Sequence, residues 1–213
     1  MTTPPPLVDP SVEELLGRVV ASPEVELEWI DLLSQLEYVG CRKIVKSVGF
    51  ESVSLEILRH VSEEASHAFL LKSVVEEGGL RDRSWRDGRF AEAGWRYFQG
   101  LDQRISALPG SDGLRYPGVS WAIERRVLVV YPAYLRVTRN ESLKKALRRI
   151  LAGGAPRRAV RRDRVSGRLP LEGRRDRSGA LAGVRGPGYR SFGFAAPISS
   201  LKIPFDAQTF IVR

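Results

Sequence analysis

The sequence predicts an all-α protein, a bundle of four long helices with a long connection between the second and the third. Three observations carry that prediction. Apolar residues recur at helical spacing in four stretches. Capping and terminating residues bracket those stretches. The intervals are short between the first and second stretches and between the third and fourth, but long at residues 80–117, which suits a crossover between antiparallel pairs.

Residues 1–21 read as a Pro-rich N-terminal extension. A first helix is expected over 22–50. Ser22 offers an N-cap, Pro23 suits the first helical position, and Glu24 and Glu26 favour the positive end of the helix dipole. Its apolar stripe runs Ile30, Leu33, Glu37, Cys41, Ile44, Val48. A second helix over 52–77 carries the stripe Ile57, Val61, Glu64, Ala68, Leu71, Val75 and ends at Gly78-Gly79. The 80–117 connection contains a shorter helical piece at 91–108. Residues 120–137 are ambiguous, because Val127–Val130 has strand character and Pro132 removes a helical hydrogen bond. Trp121, Glu124, Leu128, Tyr131 and Leu135 nevertheless keep helical phase, so a kinked helix is the preferred reading. A fourth helix starts near Asn140 with the stripe Leu143, Ala146, Leu147, Ile150 and loses its character after residue 152.

Composition narrows the function classes. The formal net charge is +9, yet residues 1–152 hold 21 basic and 21 acidic residues, so the excess belongs wholly to 153–213. That Arg-rich tail shows no helical or strand period and reads as disordered. No run is apolar enough to span a membrane, and the start resembles no secretion signal. The single cysteine, Cys41, suits a reducing cytoplasm. No Ser/His/Asp triad, Gly-rich phosphate loop or Cys-rich zinc pattern is present.

The chemistry is concentrated in "SEEASHAFLLKSV", residues 62–74. Glu64 and His67 are three residues apart, neighbours on one helix face. If the first two helices form a hairpin about residues 49–52, Glu37 and Glu64 lie at the same depth. Two carboxylates in a core repel, and a cation with His67 as nitrogen ligand relieves the conflict. Glu124 is the in-stripe carboxylate of the third helix. His60 reads as a surface histidine, an outer partner to Glu64 being the alternative. Glu56 and Glu63 are expected to face solvent, and Tyr38, Tyr131 and Tyr134 are the tyrosines within reach of such a site.

Glu37, the Glu-x-x-His of Glu64 to His67, and Glu124 together resemble the ferritin-like di-iron carboxylate superfamily, whose site takes one Glu from each of two helices and a Glu-x-x-His from each of the other two. The resemblance covers residues 24–152. It implies a ferritin-like four-helix bundle at 22–152 and iron or manganese held by Glu37, Glu64, His67 and Glu124. It also implies oxidase, oxygenase or iron-handling chemistry on an unidentified small molecule, in a chain that can form homo-oligomers. The second Glu-x-x-His is missing. Its place is near residue 154, where "ILAGGAPRRAV" stops being helical, so the fourth helix is expected to be truncated. The ligands present suffice for one metal, not for two. With Arg157 coded CGN, the codons of Gly153 to Pro156 displaced by one nucleotide permit Glu, Glu, a variable residue and His. The tail is thus expected to be read out of frame relative to an intact ancestral gene, a natural basic terminus being the alternative. In a second functional reading the chain is a non-enzymatic helical protein whose Arg pairs bind nucleic acid or other polyanions without sequence preference.

Overall fold

The computed structural model describes residues 10–107 and 115–153, apart from the side chains of residues 52, 115–122 and 125. These residues form six α-helices, two short 3-10 turns and no strand, so the described part of the chain is all-helical, as the apolar periods predict.

Residues 10–19, assigned by sequence to the extension, form α1 (Pro10–Val19). Val12, Leu15, Leu16 and Val19 recur at helical spacing and are buried in the core. Helix α2 (Pro23–Ser47) starts as expected, with the Ser22 hydroxyl accepting from the Val25 amide at 3.4 Å. Helix α3 (Leu55–Glu77) is capped the same way, with Ser54 accepting from Ile57 at 3.3 Å. It stops at Gly78-Gly79, where Gly79 adopts a φ of +101°, a conformation that side chains resist.

Helices α2 and α3 form the predicted antiparallel hairpin. Contacts between them join residues equidistant from the turn at 49–52. The Ser34 hydroxyl donates to the Ala68 carbonyl at 2.8 Å, Lys72 pairs with Asp31 at 2.8 Å, and the Cys41 thiol lies 3.6 Å from the Val61 carbonyl. This register brings the centres of the two helices to one level.

The long connection carries α4 (Ala91–Ser106), buried through Ala93, Gly94, Phe98, Leu101 and Ile105. Helix α5 (Arg115–Val137) continues through Pro132 and is helical throughout, which resolves the strand character of Val127–Val130 in favour of helix. Thr138–Asn140 then turns the chain, and the Asn140 side chain accepts from the Leu143 amide at 3.0 Å to cap α6 (Glu141–Gly153). All four residues of the expected α6 stripe are buried.

Helix α2 packs on α3, α3 on α6, α6 on α5, and α5 on α2, closing a ring of four; α1 and α4 pack against α5 from outside it. No helix among the described residues is long and apolar enough to cross a membrane. The Arg-rich tail, its expected disorder and the expected second half-site all lie outside the described residues.

Candidate metal centre

The α2–α3 hairpin places Glu37 and Glu64 face to face at mid-height of the ring. Glu37 is fully buried and Glu64 is 3% exposed. Gly40, one turn beyond Glu37, packs closely beside the pair: a Cβ there would lie 2.9 Å from Ile123 Cδ1 and at ordinary contact distance, 3.5 Å, from Glu64 Oε2. One turn along α3, His67 joins the pair, with Nδ1 3.6 Å from Glu37 Oε2. One ligand-capable atom from each of Glu37, Glu64 and His67 lies within 4.8 Å of the other two.

The electrostatics divide the two carboxylates. Burial pushes Glu37 up, but the Arg126 guanidinium 2.9 Å away, with His67 and Glu64 beside it, outweighs burial and holds its carboxyl well below the usual range. Glu64 goes the other way. Burial, then the Glu37 charge, push its carboxyl well above the ordinary value, and Glu124 adds to the effect. The Tyr131 hydroxyl donates to Glu37 Oε1, and burial followed by the Glu37 charge raises its pKa. Burial opposes the Arg126 charge, but Glu37 more than compensates, so the guanidinium stays protonated.

Three of the buried polar atoms that converge at the centre, Glu37 Oε2, Glu64 Oε2 and His67 Nδ1, lack a well-formed hydrogen bond by distance and angle, although Glu64 and His67 act on Glu37 as hydrogen-bonding neighbours. Each such atom costs roughly 1–3 kcal/mol when desolvated and unsatisfied. Two carboxylate oxygens and an imidazole nitrogen form a donor set that suits iron, manganese or zinc, and one divalent cation satisfies all three atoms. The residues fit a metal ion on that ground.

The structure therefore brings together three of the four residues singled out by sequence. The fourth, Glu124, is half-buried on α5 and acts on Glu64 electrostatically, outside the converging group. His60, preferred as a surface residue, is instead 4% exposed, with Nε2 3.4 Å from Glu64 Oε1. The i,i+4 spacing to Glu64 was the available signal. Glu56 is exposed as expected, but Glu63 is half-buried. Tyr38 lies away from the centre, its ring 4.9 Å from that of Trp85.

Arg126 is the residue that the sequence reading missed. In "IERRVLVV" an Arg pair reads as solvated surface, yet Arg126 is 2% exposed and its guanidinium lies 5.8 Å from the Tyr97 ring centroid. Helix α5 buries Ile123, Arg126, Val129, Val130, Tyr131, Ala133 and Tyr134; of the expected stripe, Tyr131 is buried against Glu37, while Glu124, Leu128 and Leu135 are half-buried. With neighbours on several sides, α5 is apolar over too wide an arc for periodicity to single out one face. Compared with protein-family models, curated proteins and solved structures, the chain matches none.

Proposed function

We propose that this chain is a ferritin-like metal-carboxylate protein that binds iron or manganese through Glu37, Glu64 and His67. The class is that of the di-iron or di-manganese proteins, whose work is oxidase, oxygenase or iron-handling chemistry. The observation that carries the proposal is the convergence of one ligand-capable atom from each of Glu37, Glu64 and His67 within 4.8 Å of one another in the buried centre. The ring of α2, α3, α5 and α6, with a crossover long enough to hold α4, supports this reading.

The bound metal supplies redox chemistry toward oxygen or peroxide. The protein's own residues have narrower tasks. Glu37 and Glu64 would give carboxylate oxygens from two helices, and His67 an imidazole nitrogen. His60, against Glu64 Oε1, orients that carboxylate, as outer partners of metal ligands do. Burial of Glu37 and Glu64 keeps bulk water from the centre.

Metal analysis of the purified protein after reconstitution under anaerobic conditions tests this. Iron or manganese at near one equivalent or more per chain is expected, falling at least tenfold in Glu64→Ala and His67→Ala proteins whose circular dichroism is unchanged. A wild-type chain that retains no metal overturns the proposal.

A further inference from the structure

Paired-metal sites hold their two ions roughly 3.5–4 Å apart, joined by a carboxylate that gives one oxygen to each. Among the described residues, Glu37 and Glu64 are the carboxylates that converge here, and only one oxygen of Glu37 is available. Oε2 faces His67 Nδ1 at 3.6 Å, on the side of Glu64. Oε1 accepts from Arg126 Nη2 at 2.9 Å and from the Tyr131 hydroxyl. Resting on the metal reading above, we propose that the centre is mononuclear and that the Arg126 guanidinium occupies the position of a second cation.

Three further features support this. Arg126 is held, not mobile: it is 2% exposed and packs against Tyr97. Its planar fork is always charged and is suited to a buried carboxylate. Among the described residues, the inward face of α6 is Leu143, Ala146, Leu147 and Ile150, which offer no donor to a second ion. With one divalent ion the guanidinium and the metal carry +3 against −2 on Glu37 and Glu64, with the Glu124 carboxylate also acting on Glu64; a second divalent ion would raise the positive side to +5. A second divalent ion would face the guanidinium at close range without added carboxylates to offset the repulsion.

The test is manganese loading of the metal-free full-length protein under anaerobic conditions, read by metal analysis and electron paramagnetic resonance. One manganese per chain with the six-line spectrum of an isolated ion is expected. Two per chain, or the spectrum of an exchange-coupled pair, overturns the mononuclear proposal and leaves the metal-binding function standing; no manganese at all overturns both. Arg126→Gln addresses the guanidinium itself. With the fold intact by circular dichroism, its manganese affinity at pH 8 is expected to rise on the order of tenfold as the repulsion is removed. An unchanged or weaker affinity overturns the role given to Arg126, and if the variant does not fold, the wild-type stoichiometry and spectrum still decide the mononuclear state.

Discussion

At the scale of single residues, Glu37 and Glu64 titrate in opposite directions. Glu37 is held ionised, so its contribution to stability is present above the unfolded carboxylate value and is lost as pH falls. Glu64 binds its proton more tightly folded than unfolded, because burial and then Glu37 disfavour its charge. Its contribution is full below the unfolded value of about 4.3 and is lost as pH rises from there toward the folded value. In the metal-free protein Glu64→Gln removes that loss, since the amide mimics the protonated acid. The expected outcome, measured by thermal unfolding in chelator at pH 8, is a melting temperature several degrees above wild type, where each 1 kcal/mol corresponds to roughly 2–4 °C. The same variant is expected to bind metal weakly. A melting temperature at or below wild type would show that Glu64 is not held neutral.

At the scale of elements, α1 is a structural part of the bundle, since Leu16 is fully buried and α1 packs on α5. Leu16→Ala is expected to cost about 3 kcal/mol, within the usual range for a buried leucine truncated to alanine. Denaturant unfolding measures this, and a loss below about 1 kcal/mol would make α1 an appendage. Legibility differed sharply between elements. Helix α6 has one apolar face, and Leu143, Ala146, Leu147 and Ile150 were all identified from spacing. Helices α2 and α3 have partners at fixed depth across one hairpin, so their register followed from the turn. Helix α5 touches α1, α2, α4 and α6, and for that reason its site-facing side was readable at Tyr131 but not at Arg126. Helix α1 escaped because ten residues after a Pro-rich stretch give too short a period to stand out.

At the scale of the whole molecule, the proposed ligands belong to α2 and α3 and exist as a group only in the folded chain. Metal binding is therefore linked to folding. At a free metal concentration 100 times Kd the native state gains about 2.7 kcal/mol, a rise of roughly 5–10 °C in melting temperature. The rise is expected with manganese in the wild-type protein and is expected to vanish in Glu64→Ala. Equal melting curves with and without metal would break the linkage.

The sequence by itself determined that the protein is helical, that α2 and α3 are antiparallel, and that Glu37, Glu64 and His67 share one level. Those conclusions depend on period and distance from a turn, which are local properties of the chain. Tyr131 was within the expected stripe, but only the tertiary structure decided that Arg126 faces that level from α5. Rotation of a helix about its own axis is set by packing against all its neighbours, and this rotation buries Arg126 against Glu37 while leaving Glu124 half-buried. The carboxylates were legible because a charge interrupts an apolar stripe; the arginine that balances one of them was not, because its sequence neighbourhood resembles surface.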